Sequence, residues 1–520
     1  MRALLAGVVA LTLTTPAAVA ASAAELEVVP HSHRIGAPRT AVNATATLTT
    51  HVIDRNGEPN GDATGHATNV STGDGDFLTF DETGTATTAL EPGVYDVGVL
   101  SITEGPDGVR EFTAAANLRV QVTASGGETT VDARPAKPVT AKVDRLGATV
   151  VDSSVTIATK VGETGFANSY FTGPGARVYA VPSPKGRQVF AYRPTLGGPG
   201  FRYHLVHVSD GRLPDRPVYY TPDARLARLD TTYYGQGDGL EGNNGKPAAI
   251  PGLSFYRFVD LAAPSSRVEY YTADPSVTWF NLRVLGSDVA ITNEPLRPGA
   301  SRSTWFRPPV GVALGNGVTR TGDQLAVDVQ PFAPSDGKRY TTAFGSGGPG
   351  KTTLSLAGKE IGAEETVGRG TFTLAGPGRY ALRTSGEHNG TTVASEWSFE
   401  PKSDGPVPIS VVRTGIGRDA AGAWAQNPLG QVRAGSNHEL TLAADAQPGA
   451  ARTGVPSLEV SYDDGKRWRR LVVGWNGQRG NAWLSEPRTP GFVSLRVSAT
   501  NADGAKFTQT VLRAYELVNG

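Results

Sequence analysis

The sequence predicts an all-β chain made of tandem antiparallel β-sandwiches. Three observations carry that prediction. Apolar and polar residues alternate with period two over short stretches, which buries one face of a strand and wets the other. Such stretches recur through the 520 residues, and after the amino terminus almost nothing repeats with the 3.6 period of a helix. The 64 glycines and 36 prolines supply turns at the spacing that short strands need.

The amino terminus stands apart from this pattern. Met1–Arg2 is a short positive start and Ala3–Leu13 an apolar run, and Ala18-Val19-Ala20 and Ala21-Ser22-Ala23 fit the small-residue rule for cleavage. Residues 1–23 therefore read as a signal peptide, and the mature chain as secreted and extracellular. The apolar run is too short to span about 30 Å of hydrocarbon, so no membrane span is expected.

A first sandwich, 40–137, contains the alternating Leu118, Val120 and Val122 and closes at Ala133-Arg134-Pro135-Ala136-Lys137-Pro138. A second β-rich domain covers 138–294. The third unit, 295–402, starts near Pro295–Gly299 and carries Leu325, Val327 and Val329. Pro401-Lys402-Ser403-Asp404-Gly405-Pro406-Val407-Pro408 opens the last sandwich, 403–520, where Leu458, Val460 and Tyr462, then Val493, Leu495 and Val497, alternate with polar residues. Prolines suit such joints because they fix φ and cannot continue a ladder. One pattern recurs late in three units: Pro92-Gly93-Val94-Tyr95, Pro377-Gly378-Arg379-Tyr380 and Pro490-Gly491-Phe492-Val493. Each reads as a type II turn placed before an aromatic-bearing strand.

Charge and cysteine content exclude whole classes of function. The 49 Lys+Arg balance 49 Asp+Glu, which removes the electrostatic case for nucleic acid or an anionic membrane. With no cysteine there are no disulfides, Cys-based zinc sites, iron–sulfur clusters or thiol catalysis. Stability is left to size and packing.

Several motifs invite a chemistry that their surroundings do not support. Gly345-Ser346-Gly347-Gly348-Pro349-Gly350-Lys351-Thr352 matches the phosphate-binding P-loop, but Thr353–Lys359 reads as a strand ending in a turn, where a P-loop needs a helix. Ser461-x-Asp463-x-Gly465-x-x-Trp468 fits a single Asp-box hairpin, with Asp464-Gly465 at its turn and Trp468 packed inward. His204 and His207, three apart, fall on opposite faces of a strand, and His31 and His33 share a face in what reads as a tail. Neither pair has a third ligand, so no metal is assigned. Asp74-Gly75-Asp76 lacks the ligand series of a calcium loop and reads as a turn. Gly235–Gly245 reads as a mobile surface loop between core-packing strands. Tyr233 and Tyr234 before it, with Phe255 and Tyr256 after it, make it a candidate border for an aromatic sugar-stacking patch.

Two resemblances follow from these residues. Thr50-His51-Val52-Ile53-Asp54-Arg55-Asn56-Gly57-Glu58-Pro59, followed by Leu90-Glu91-Pro92-Gly93-Val94-Tyr95-Asp96-Val97, resembles a carboxypeptidase-regulatory-like or transthyretin-like sandwich. The last unit carries Ser457 to Trp468, Gly491 to Gly504 and Thr508 to Tyr515. It is similar to the immunoglobulin- or fibronectin-like sandwiches that trail the catalytic domain of large secreted actinobacterial subtilisin-like serine peptidases. Arg267-Val268-Glu269-Tyr270-Tyr271-Thr272-Ala273-Asp274 and Ala394-Ser395-Glu396-Trp397-Ser398-Phe399 mark the middle of that resemblance. The family's Asp-Thr/Ser-Gly, His-Gly-Thr and Gly-Thr-Ser-Met-Ala motifs are absent, and the one methionine is Met1. The resemblance therefore implies architecture and export, and carries over no catalytic residue.

The reading that results is a secreted, non-catalytic binding or accessory protein. It assigns no catalytic, cofactor or metal residue and no cofactor. The expected partner is an extracellular polysaccharide, the cell wall or a protein surface. The alternatives are a hydrolase, protease-related or glycosidase, whose site is assembled from distant loops, and a structural spacer.

Overall fold

The computed structural model describes residues 30–36, 46–253, 258–286, 288–335, 340–343 (backbone alone) and 350–520. The expected signal peptide thus lies outside the described residues. The chain is all-β, with 67% of residues in strands and no helix of seven residues or more among those described. His31 and His33, placed by sequence in a tail, lie on the strand His31–Ile35, which pairs with Thr164–Thr172.

The first half is a stack of three sheets. A three-stranded sheet built on Ala46–Ile53 lies on one face of a seven-stranded sheet, and a twelve-stranded sheet lies on the other. The strand Gly93–Glu104 sits in the middle sheet and shows why it does not alternate cleanly. Its Val97 and Val99 pack with Leu48 and Val52, while Leu100 and Ile102 pack with Val155, Ile157 and Phe190. A strand covered on both faces has no wet side to make polar.

The Pro-rich segment before 138 does not end this sheet. Lys137–Val143 runs through it and pairs with Arg177–Ala180 and Val218–Thr221, extending the first unit's sheet with residues of the second. A buried polar bridge joins the two large sheets. His66 Nδ1 lies 2.5 Å from Asn168 Oδ1 and Nε2 lies 2.8 Å from Thr159 Oγ1, while Asn168 Nδ2 donates to Ser32 and Thr64.

The joint at Pro295–Gly299 falls between two strands, Asp288–Pro295 and Gly299–Trp305, of the same twelve-stranded sheet. The segment around 403 is likewise bridged. Gly405–Pro406 pairs with Thr319 and Arg320, and Thr391–Phe399 pairs with Lys506–Val518, so the third and fourth units share a nine-stranded sheet. Their cores are one continuous apolar cluster, from Val312 through Trp397 and Phe507 to Leu517. The pairing is mostly antiparallel; the parallel exceptions include Leu226–Pro247 against Gly299–Trp305.

The recurring Pro-Gly pairs have a different role from the one expected. Gly378 and Gly491 have φ of 152° and 157°, far from the 80° or so of a type II turn, and each stands directly before or at the start of a strand. What two copies share is a tyrosine corner. Tyr95 and Tyr380 donate their hydroxyls to the carbonyls of Glu91 and Gly376, four residues upstream, at 2.9 and 2.5 Å. Phe492 has no hydroxyl to do so. At the Asp-box, Asp464 and Gly465 both take positive φ, 53° and 83°, as a type I′ turn requires. Trp468 is half-buried, beneath the Arg496 guanidinium at 4.4 Å. Of the P-loop match, 345–349 lie outside the described residues, and Gly350 and Lys351 open the strand Gly350–Leu356.

Candidate functional site

The stretch read as a mobile glycine-rich loop is the centre of the longest strand, Leu226–Pro247. It pairs with Phe258–Thr272 on one edge and with Gly299–Trp305 and Val277–Leu285 on the other. Glycine serves close approach here, not mobility. A Cβ on Gly239 would sit 2.0 Å from the Val284 carbonyl oxygen, and one on Gly245 would sit 2.4 Å from Val206 Cγ2. Tyr233 and Tyr234 are both buried, so they border no exposed patch. Phe255 and Tyr256 lie outside the described residues.

This strand and its neighbours curl, so that Arg193 reaches across to donate to Asn244 Oδ1 at 2.7 Å and to the Gly245 carbonyl at 3.3 Å. Alternation then puts a polar set on the enclosed face: Glu241 and Asn243, Arg267, Glu269 and Tyr271, Arg283, and Arg202 with His204. Sequence reasoning had used Arg267–Asp274 only as a family marker. The period-two spacing of charged residues on adjoining strands was the available signal.

The two carboxylates are fully engaged. Glu269 accepts from Arg267 at 2.6 and 2.9 Å, Tyr233 at 2.7 Å, Thr231 at 3.0 Å and Tyr271 at 3.2 Å. Glu241 accepts from Arg267 and from Arg202 at 2.5 Å, with Arg283 Nε at 3.5 Å. Burial alone would raise both carboxyls, but the Arg267 and Arg283 charges outweigh it and hold them below the usual range. Carboxylates locked in the ionised form, with donors on both oxygens, are poor proton donors.

His204 and His207 stand on two strands rather than on opposite faces of one. His204 ends Phe201–His204 and stacks on Tyr271 at 4.6 Å, while His207 opens His207–Asp210 and stacks on Tyr219 at 4.4 Å. Burial lowers the His204 pKa to about 3. Among the described residues no group of three or more His, Asp or Glu side chains could hold a metal ion.

The open surface with the most distinctive chemistry lies elsewhere, on the outer face of the four-stranded sheet containing Ser410–Asp419, Asn437–Ala446 and Arg479–Ser485. Along Arg479–Ser485, Ala482 and Leu484 enter the core, so Asn481 and Trp483 face out, and Trp483 is 58% exposed. Trp483 stands opposite Glu439. Glu439 lies over Gly417, where a Cβ would come within 2.6 Å of its Oε2, and its Oε1 accepts from Asn481 Nδ2 at 2.8 Å. Carboxylate and amide are thus bonded to each other beside the position of the indole.

The same row continues across the bulge at Ile416/Asp419 to Arg418, which bridges to Trp424. Trp424 is 42% exposed, and the guanidiniums of Arg307, Arg418 and Arg302 lie 4.3, 4.8 and 5.8 Å from its ring. Trp424, Arg418, Glu439 and Trp483 therefore form one cross-strand row. Three strand spacings separate its two tryptophans, about 14 Å.

No protein-family model and no curated protein matches the chain. Among solved structures, it is similar at 9% identity and a TM-score of 0.17 to a mutant of Salmonella alpha-2-macroglobulin, over 94% of this chain and 39% of that one. The chain thus spans about two fifths of that protein's length. A Streptococcal ancillary pilin gives 10% identity and a TM-score of 0.12, over 49% of this chain and 90% of that one. Likenesses this slight carry no argument about fold or function.

Proposed function

We propose that this chain is a secreted, non-catalytic binding protein that holds a polysaccharide along the Trp424–Arg418–Glu439–Trp483 row. The observation that carries the reading is the pair of exposed tryptophans at the ends of one cross-strand row, with the hydrogen-bonding side chains of Arg418 and Glu439 at the positions between them. A pyranose ring has an apolar C–H face that stacks on an indole and a rim of hydroxyls that needs both donors and acceptors. Single aromatics on a polar floor suit that ligand better than a protein partner, whose docking calls for a contiguous apolar centre.

Export is argued from Met1–Ala23, and the trailing-sandwich resemblance agrees with it. The absence of catalysis is supported by the arginine-locked state of Glu241 and Glu269, both buried in the curled sheet. The hydrolase alternative needs two carboxylates facing an open cleft.

The test is retardation of the purified protein in gels containing soluble polysaccharides, neutral and acidic, followed by calorimetry on the best ligand. Trp483→Ala is expected to weaken binding about tenfold or more, equivalent to about 1.4 kcal/mol, with an unchanged circular dichroism spectrum. Trp424→Ala should weaken it less, because arginines already cover part of its ring. Failure of every polysaccharide to bind, or wild-type affinity in Trp483→Ala, would overturn the reading.

A further inference from the structure

The two ends of the Trp424–Arg418–Glu439–Trp483 row offer a ligand opposite chemistry. At the Trp483 end stand the Glu439 carboxylate and the Asn481 amide, bonded to each other at 2.8 Å. At the Trp424 end stand guanidiniums, which donate hydrogen bonds and cannot accept them.

One arginine of that cluster is spent on structure. Arg307 donates from Nε to Gln426 Oε1 at 2.8 Å and from a terminal nitrogen to the Ile416 carbonyl, which pins the loop carrying Trp424. The other two are exposed and reach the indole from different sheets. Arg302 comes from Gly299–Trp305 of the curled sheet and Arg418 from Ser410–Asp419. Arg418 gives one N–H to the Gly422 carbonyl, and among the described residues no group is hydrogen-bonded or ion-paired to the Arg302 guanidinium.

The carboxylates placed to neutralise these two arginines are committed to other donors. Asp230 stands opposite Arg302 in register but accepts from Arg228 at 3.0 and 3.2 Å. Asp419 follows Arg418 in the chain, and its Oδ1 accepts from the Ala421 and Ala423 N–H groups at 3.0 and 2.8 Å. Contact with the indole face uses none of the guanidinium N–H donors. The unspent ones form a fork that matches a carboxylate or sulfate group.

Resting on the polysaccharide reading, we propose that the ligand is an acidic polysaccharide. A sugar bearing a carboxylate or sulfate lies at Trp424, held by Arg302 and Arg418. A neutral sugar lies at Trp483, where the Glu439 carboxylate accepts from hydroxyls and repels a second acid.

The probes are two matched pairs, titrated calorimetrically into the full chain at low salt. Hyaluronan is compared with its carboxyl-reduced form, and carrageenan with its desulfated form. The acidic member of at least one pair should bind about tenfold tighter than its neutral counterpart, and the pair that does so identifies the acid group. Added sodium chloride should erase that difference, because exposed charges are screened. Arg302→Gln should lower the acidic-to-neutral affinity ratio about threefold, and Arg302→Gln with Arg418→Gln should bring it near one. Trp483→Ala should weaken both members of a pair alike. The wild-type ratios decide the matter even if a variant fails to fold. Binding of neutral polymers with no acidic preference in either pair would overturn this proposal and leave the polysaccharide reading standing. Binding of no polymer at all, neutral or acidic, would overturn both.

Discussion

In the carboxy-terminal half, three sheets close on one apolar core that runs from Val312 to Leu517, and the buried pair His438–Glu486 is a small polar inclusion in that half. In the curled twelve-stranded sheet the enclosed face carries Glu241, Glu269, Arg267 and Arg283, and its apolar clusters around Tyr233 and Tyr271 are small. The two regions use the same strand alternation with opposite chemistry inside. The apolar half needs no partner for its interior and leaves its distinctive groups, Trp424 and Trp483, at the surface. The curled sheet must answer every buried charge with another, and its carboxylates are consumed in doing so. A buried cluster of ionisable residues is therefore a structural device where each group is satisfied.

Acidification should separate the two regions most. Burial lowers the pKa of His66 to about 4, of His204 to about 3 and of His207 to about 4, and all three lie in the first half. Between these values and 6.5 the unfolded chain binds protons that the folded chain does not. The stability they protect is therefore complete above about pH 6.5 and is lost as pH falls toward 4. Each contributes about 1.6 kcal/mol between pH 6.5 and 5, so about 5 kcal/mol together. Calorimetry in gluconate buffers should show the amino-terminal transition falling steeply with pH, while the carboxy-terminal one, which contains none of these histidines, falls less. Parallel movement of both transitions would break the comparison.

Glu269→Gln should cost about 3–5 kcal/mol, because it leaves the Arg267 and Arg283 charges under-compensated in a buried site. Trp397→Ala, in the apolar core, should cost a similar about 3–5 kcal/mol by cavity formation. The informative readout is which calorimetric transition each one lowers: the curled sheet's for Glu269→Gln, the carboxy-terminal one for Trp397→Ala. Gly245→Ala should cost about 1–3 kcal/mol, since its Cβ would meet Val206 at 2.4 Å and Trp279 at 2.8 Å. The smallest effect is expected from Tyr380→Phe, about 1 kcal/mol for one hydrogen bond to Gly376. Tyr95→Phe should match it in the first half, and a null result in denaturant melts of both would remove the tyrosine corner as a stabilising element.

Much of the carboxy-terminal half was legible because its strands have one wet face. Leu458 and Val460 alternate in the sequence and are buried in the structure, while Glu459 lies half-buried between them and pairs with Arg496 at 2.8 Å. Tyr462, read as the next inward residue, is instead 37% exposed, because it begins the Asp-box loop just beyond the strand Ser457–Ser461. The first half was harder to read. Gly93–Glu104 is covered on both faces, and Leu226–Pro247 contains glycines that signal a loop locally but lie between paired strands. Turn propensity is a statement about isolated backbone, and two flanking ladders override it. Of the candidate surface, neither Trp424 nor Trp483 had been singled out, since an exposed and a buried tryptophan look alike in a chain without its register.

The sequence by itself determined the class of this protein: all-β, without thiol chemistry, with half-wet strands and turn-forming breaks, because these follow from residue type and spacing within a few positions. Only the tertiary structure decided that the Pro-rich joints are bridged by shared sheets, that Gly239 and Gly245 accommodate close neighbours, that Glu241 and Glu269 are locked by arginines, and that Trp424 and Trp483 share one row. Each of these depends on register between strands far apart in the chain. Register is set by how whole faces pack, and no local pattern encodes it.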